Sequence, residues 1–161
     1  MKSFSLFYKD TGGNEGNKCN YQTRLDSYGC GCQHDCNYCY AKSLLSFRNL
    51  WNAQKPVVAS TKQVRNAIND IKKKKIQIVR LGGMTDPFQP MELQYRTTYQ
   101  IIKMLNKHKI GYLIVTKSHL VANDEYLKIY DKDLAHFQIT TTCLDDNLYK
   151  YYNIFSLINI F

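Results

Sequence analysis

Short apolar segments alternate with amphipathic segments along most of this chain, and no other feature of the sequence restricts the fold as strongly. Apolar runs at 76–81 and 112–115 predict buried strands, 137–142 predicts another, and an extended piece at 21–28 precedes them. Helical patterns lie between these segments, and such alternation predicts a parallel sheet. With right-handed crossovers, the sheet would curl into part of a TIM-like (β/α) barrel of about four β/α units. We therefore predict an α/β fold.

Local signals support the intervening helices. Ser60 and Gln63 have capping-box spacing and predict a helix start. The helix face that follows has apolar residues at i, i+3, i+4 and i+7, namely Val64, Ala67, Ile68 and Ile71. A second helix face consists of Thr98, Ile101, Ile102 and Leu105. We predict further helices from near Asn37 towards Trp51 and from Asn123 onward.

The length and composition fit a single folded domain. The chain has 161 residues, of which 44% are apolar, enough for a buried core. It lacks an apolar run of about 18 residues, and its N-terminal apolar stretch is too short for a secretory signal. We therefore expect a cytoplasmic protein with no membrane partner. We divide it into a loose Gly-rich leader over 1–20, an α/β domain over 21–146 and an atypical apolar tail over 147–161.

The formal net charge is +9, which is compatible with a nucleic-acid partner. Codon usage and helix capping could also account for the excess of lysine. The chain is rich in Asn, Ile and Tyr, which share AT-rich codons with Lys, so codon bias could supply much of that excess. The run Lys72–Lys75 lies where a helix should end, and cations there interact favourably with the helix dipole.

Four of the six cysteines, at positions 30, 32, 36 and 39, lie within ten residues, which in a reducing compartment indicates a metal or cluster site. Cys32, Cys36 and Cys39 have the spacing C-x3-C-x2-C. Three thiolates on one tight loop can bind three irons of a [4Fe–4S] cluster and leave the fourth iron open to a ligand. Cys30 offers a second register, but only Cys32 gives the three-residue gap to Cys36.

A zinc site is the alternative for the cysteine loop. Zinc sites usually pair two C-x2-C units, so Cys19 or Cys143 would have to complete the set, with His34 as a further possible ligand. We interpret Cys19, Cys30 and Cys143 instead as small apolar fillers.

Polar motifs follow the predicted strands, at the edge where ligands of parallel sheets bind. The segment Gly82-Gly83-Met84 ends the second strand, and glycines there let backbone approach a ligand closely. Lys117 follows the third strand, and Gln138 lies in the fourth. The alternative is a purely structural role for these residues. The segment after the second strand would then be a Pro-rich loop with Asp86 as a turn residue, and Lys117 would be an ordinary surface lysine.

The cysteine loop resembles that of the radical S-adenosylmethionine (radical SAM) superfamily, including Tyr38 before the last cysteine. Its surroundings resemble the branch of spore photoproduct lyase. Tyr28-Gly29-Cys30-Gly31-Cys32 enters the loop, Tyr40-Ala41-Lys42 follows it, and the string Thr85-Asp86-Pro87-Phe88-Gln89-Pro90-Met91-Glu92 comes later. The resemblance runs from about Asp26 to Asp146 and implies a partial radical SAM barrel.

The resemblance also implies roles for individual residues. Tyr38 would lie near the adenine of SAM, with Tyr40 a weaker candidate. Gly82, Gly83 and Met84 would contact the methionine amino group. Lys117 would bind the SAM carboxylate, and Gln138 occupies a position where the family places a Ser near SAM. The implied cofactors are a [4Fe–4S] cluster, on Cys32, Cys36 and Cys39, and SAM.

The implied activity is reductive cleavage of SAM to a 5′-deoxyadenosyl radical that abstracts hydrogen from a substrate, with nucleic acid as the leading substrate. An electron donor such as flavodoxin or ferredoxin is the implied partner. The lyases keep a hydrogen-donor cysteine in the second-strand loop, where this chain has none. Because the family barrel usually has six β/α units, we expect residues 147–161 to reflect truncation, a frameshift or a split protein completed by a second chain. A non-catalytic iron–sulfur or zinc-binding remnant is the alternative function.

Overall fold

A five-stranded sheet with helices on one face forms the core of the protein. The computed structural model describes residues 6–9, 21 and 23–141. In chain order its elements are β1 (Phe7–Lys9), β2 (Thr23–Leu25), β3 (Tyr28–Gly29), α1 (Tyr40–Phe47), β4 (Val57–Val58), α2 (Thr61–Lys73), β5 (Ile78–Leu81), α3 (Glu92–Tyr95), α4 (Thr97–Lys107), β6 (Gly111–Thr116), a 3-10 turn (His119–Ala122), α5 (Asp124–Leu127) and β7 (Ala135–Ile139).

The strand order in the main sheet is β1-β2-β5-β6-β7. Strands β2, β5, β6 and β7 run parallel, and β1 is antiparallel to β2. Helices α2 and α4 connect the consecutive parallel strands β2 to β5 and β5 to β6. The structure therefore confirms the predicted α/β class, with a parallel sheet of the partial (β/α) type.

The two helices with the strongest sequence signals form as predicted. At the start of α2 the Ser60 hydroxyl accepts a hydrogen bond from the Gln63 N–H, and the Gln63 side chain accepts one from the Ser60 N–H. These two bonds satisfy donors that the first helical turn leaves unpaired. The predicted apolar faces are buried: Val64, Ala67, Ile68 and Ile71 in α2, and Thr98, Ile101, Ile102 and Leu105 in α4.

The two faces of the parallel sheet differ in chemistry. The face that packs against the helices contributes core residues such as Leu25, Leu81 and Ile114. Because side chains alternate along a strand, their neighbours Arg24, Arg80 and Leu113 lie on the opposite face. That second face leads to the cavity described below.

Several elements differ from the sequence predictions. Helix α1 starts at Tyr40 rather than near Asn37, because a turn closed by the Cys39 N–H and the Cys36 carbonyl occupies the preceding residues. It ends at Phe47, before a positive φ at Asn49. Strand β7 spans 135–139 rather than 137–142. Strand β1 and the small β3–β4 ribbon were not predicted.

Other predictions fall on residues outside the described ranges. These are most of the leader over 1–20 with Cys19, and the segment after 141 with Cys143 and the tail over 147–161. Within the described ranges, none of the helices has the length and apolar character needed to cross a membrane.

Candidate active site

The cysteine loop is shaped by tight turns on either side of its thiols. Before it, Cys30 has a positive φ of 55°, and a Cβ on Gly31 would lie 2.0 Å from the Asn52 carbonyl oxygen. Only glycine fits at position 31 without moving the backbone. Within the loop, the Asp35 N–H donates to the Cys32 carbonyl at 3.1 Å. This turn helps to hold the segment between Cys32 and Cys36 compact.

Cys32, Cys36 and Cys39 line one cavity of about 260 Å³, and Cys30 is not among the residues that line it. All four cysteines are free thiols. In the described residues, no three His, Cys, Asp or Glu side chains are grouped as ligands of a single metal ion. In a [4Fe–4S] cluster each cysteine binds its own iron, so the three thiols need not converge on one point.

The two most buried thiols have raised pKa values. Burial, followed by the negative charge of Asp86, raises the pKa of Cys32 to about 12, and burial raises that of Cys36. The nearby Lys117 acts in the opposite direction on both thiols. With raised pKa values, these two cysteines are protonated thiols in the metal-free protein. Because thiolates are the form that binds metal, iron binding at this site must release protons.

The Gly82-Gly83-Met84 segment is held in place from both sides. The buried Asp26 carboxylate accepts hydrogen bonds from the N–H groups of Gly83 at 2.7 Å and Met84 at 3.3 Å. On the other side, the Tyr40 hydroxyl donates to the Gly83 carbonyl at 2.7 Å. Gly82 has a φ of 86°, and a Cβ there would lie 2.5 Å from the Val115 carbonyl oxygen. The segment therefore lies against β6, with its backbone amides already engaged.

Asp86 links the loop after β5 to the end of β6. Its carboxylate accepts from the Thr116 hydroxyl at 2.6 Å, from the Lys117 N–H at 2.9 Å and from the Phe88 N–H at 2.8 Å. The His34 Nε2 lies 3.5 Å from the same carboxylate. Burial lowers the pKa of His34, although Asp86 acts against that shift. Asp86 thus fixes three parts of the site relative to one another.

Glu92 is another buried carboxylate, and its side chain accepts four hydrogen bonds. Two donors are the hydroxyls of Tyr28 and Tyr126, and two are the N–H groups of Thr98 and Tyr99 in the first turn of α4. Glu92 therefore caps α4 and anchors the cluster-loop entry at Tyr28.

The cluster ligands and SAM contacts that the sequence analysis proposed all line the same cavity, as does Tyr40, its weaker candidate. They are Cys32, Cys36, Cys39, Tyr38, Gly82, Gly83, Met84, Lys117 and Gln138. The strands explain this convergence, because Gly82, Lys117 and Gln138 lie at or near the carboxyl ends of β5, β6 and β7. The individual roles of these residues stay predictions.

The cavity also includes residues that sequence reasoning did not select: Asp35, Trp51, Arg80, Thr85, Asp86, Val115, Thr116 and Thr140. Of these, Thr85 and Asp86 had a usable signal because they belong to the string that carries the family resemblance. Arg80 had one because it interrupts the apolar run Ile78-Val79-Arg80-Leu81 of β5. Asp26, which shapes the site from outside the cavity lining, had none.

Comparison with known proteins identifies the family to which the chain is similar. The family model of the radical SAM superfamily matches residues 27–156. The uncharacterized protein MJ0683 of Methanocaldococcus jannaschii is 32% identical over 95 residues, which cover 58% of this chain and 35% of that protein. The chain thus matches about a third of the length of this relative. No solved structure matches.

Proposed function

The chain belongs to the radical SAM superfamily, whose members use a [4Fe–4S] cluster and SAM, and we propose that it is a SAM-cleaving enzyme with its cluster on Cys32, Cys36 and Cys39. When bound, the two cofactors supply a 5′-deoxyadenosyl radical, formed as one electron cleaves SAM, and the radical abstracts hydrogen from a substrate. The observation that carries this proposal is the single cavity shared by the three thiols and the six predicted SAM contacts.

The residues present fit these cofactors. Three cysteines of one loop supply the soft thiolate ligands that iron–sulfur clusters require. The same cavity is lined by Gly82-Gly83-Met84, a segment with little side-chain bulk at its first two positions. Polar groups from two further strands, including Lys117 and Gln138, complete the lining. We propose that the cysteine loop holds the cluster and that SAM occupies the space beside it.

Different lining residues of the cavity would orient different parts of SAM. Lys117 would bind the carboxylate, since a cation in a partly enclosed site makes a strong charge-assisted bond. The Gly82-Gly83-Met84 backbone would approach the amino group. Tyr38, which lines the cavity and is 48% exposed, would cover the adenine. Asp26 and Asp86 would not touch SAM but would hold the segments that do.

We propose nucleic acid as the substrate class and a flavodoxin or ferredoxin as the electron donor. The net charge of +9 supports a polyanionic partner, and the resemblance to the spore photoproduct lyase branch supports a nucleic acid. The second-strand loop has Gly82-Gly83-Met84 where the lyases keep a hydrogen-donor cysteine. The fate of the substrate radical would therefore differ from that in the lyases.

Anaerobic reconstitution with iron and sulfide, followed by a SAM-cleavage assay, tests the proposal. We expect about four irons per chain and formation of 5′-deoxyadenosine under reducing conditions. Replacing Cys32, Cys36 or Cys39 with Ala should abolish both results. Cys30→Ala is the matched control from the same loop and should retain both.

Three outcomes would contradict the proposal. If Cys30→Ala loses the cluster while Cys32→Ala keeps it, the ligand register is wrong. A stable cluster with no SAM cleavage would support a non-catalytic iron–sulfur protein, and retention of zinc in place of iron would support a zinc site.

A further inference from the structure

Two arginines lie side by side on the sheet face that is opposite the helices and leads to the cavity. Arg24 of β2 is paired in register with Arg80 of β5, and the same layer continues through Leu113 of β6 to His136 of β7. Like charges on directly paired strand positions repel each other and destabilise a sheet. Packing alone gives no reason for placing two guanidinium groups there.

Arg80 is the member of this layer that lines the cavity. Its Nε is buried and has no hydrogen-bond partner in the described ranges, although the residue as a whole is half-buried. Arg24 takes part in another interaction of the chain, so a ligand contact is assigned to Arg80 alone. A buried N–H donor without a partner costs free energy, and Arg80 also lies beside a second cation, Arg24. An anionic ligand would satisfy this donor and offset the repulsion between the two arginines.

The carboxylates that line the cavity do not supply it. Asp35 forms an ion pair with Lys42 at 2.8 Å. Asp86 accepts hydrogen bonds from Thr116, Phe88 and the Lys117 N–H. These are the acidic residues of the cavity lining, and each is engaged with its neighbours. Within the described residues, no carboxylate of the cavity lining is left to pair with Arg80, so we assign its anion to a bound molecule.

We propose that Arg80 forms the base of a recess that binds an oxyanion, a phosphate or carboxylate, carried by the substrate. The proposal rests on the proposed function for the location of SAM, whose single carboxylate is assigned to Lys117. A second cation in the same cavity then matches a second anion. The planar guanidinium binds two oxygens at once, which suits both groups and fixes their orientation. Arg80 would thus select substrates that carry such a group.

The test is calorimetric titration of the reconstituted 161-residue chain with inorganic phosphate and, separately, with SAM. We expect wild-type protein to bind phosphate and Arg80→Gln to bind it at least about tenfold more weakly, since a bidentate charged contact is lost. Arg65→Gln, which changes an exposed arginine of α2, is the matched control and should bind phosphate like wild type. SAM affinity should change by less than about threefold in Arg80→Gln.

A second variant and a second readout make the result decisive. Arg80→Lys keeps the charge without the planar fork, so it should bind phosphate with intermediate affinity and serves if Arg80→Gln fails to fold. Trp51, the single tryptophan of the chain, lines the same cavity, and its fluorescence should change as phosphate binds.

Three results would overturn the proposal. The first is no phosphate binding by wild type up to about 10 mM. The second is equal phosphate affinity in wild type and Arg80→Gln. The third is a loss of SAM affinity in Arg80→Gln together with loss of discrimination against decarboxylated SAM, which would assign Arg80 to the SAM carboxylate. Because none of these readouts uses SAM cleavage, they are separable from a failure of the proposed function.

Discussion

Replacing Glu92 with Gln should strongly destabilise the protein without touching the cavity. One carboxylate oxygen accepts from the Tyr28 hydroxyl and from the Thr98 N–H at 3.0 Å. The other accepts from the Tyr126 hydroxyl at 2.5 Å and from the Tyr99 N–H at 2.9 Å. The Glu92 side chain is fully buried, so water cannot replace a lost acceptor.

The expected magnitude follows from these four bonds. A Gln side chain keeps one oxygen and presents an NH₂ group in place of the other. A tyrosine hydroxyl can rotate to accept from that group, but a backbone N–H cannot. One helix N–H of α4 therefore loses its acceptor, which costs about 1–3 kcal/mol, and the remaining bonds lose their charge assistance at about 1 kcal/mol each. We expect a total loss of about 3–5 kcal/mol, a large share of the stability of a small domain.

Urea unfolding of the Glu92→Gln variant, followed by far-UV circular dichroism, measures this loss. Glu125→Gln makes the same chemical change in a carboxylate that is 40% exposed and paired with Arg96. It should cost less than about 1 kcal/mol, as exposed ion pairs do. A loss below about 1 kcal/mol for Glu92→Gln would refute the assignment of Glu92 as the buried acceptor that caps α4.

Two further predictions concern a glycine and the buried tyrosines. Gly82→Ala should lower the free energy of unfolding in urea by about 2 kcal/mol or more, because φ is 86° and the added Cβ would lie 2.5 Å from the Val115 oxygen. Gly83→Ala is the control, and it should cost less because Gly83 has no positive φ. Equal losses in the two variants would contradict the reasoning. Burial and Glu92 raise the pKa values of Tyr28 and Tyr126 above the ordinary 10.0. The stability that these two protonated hydroxyls contribute is therefore complete below pH 10 and is lost as the pH rises further. Unfolding free energy should fall above that pH, less steeply in Tyr126→Phe, and an unchanged slope in that variant would exclude this cause.

The strand and helix order was predictable because periodicity is a local property. The helix faces around Ile68 and Ile102 repeat within about ten residues, and the apolar runs of β5 and β6 are continuous. The β3–β4 ribbon was not predictable, because it consists of two-residue strands that pair across an intervening helix. Helix α1 was predicted too long for a related reason: its start depends on the turn geometry at Cys36 and Cys39 rather than on an apolar pattern.

In the candidate site, too, residues defined by a local pattern were predicted, and residues that depend on distant partners were not. The three thiols were found because their spacing within eight residues places them on one loop whatever surrounds it. Asp26 and Glu92 were not found, because their partners lie far away in sequence: Gly83 for Asp26, and Tyr28 for Glu92. A buried carboxylate has no sequence signature until the fold brings its donors together.

The two aspartates at the strand ends determine how the cavity can recognise a ligand. Asp26, after β2, binds the backbone N–H groups of the loop after β5, and Asp86, in that loop, binds the N–H of Lys117 after β6. Each carboxylate therefore fixes the end of the next strand in the sheet. The N–H groups of Gly83, Met84 and Lys117 are consumed by these bonds and are not available to an anionic ligand. Among the described residues, Lys117 and Arg80 are the cations that line the cavity, so we expect these two side chains to contribute most to anion recognition there.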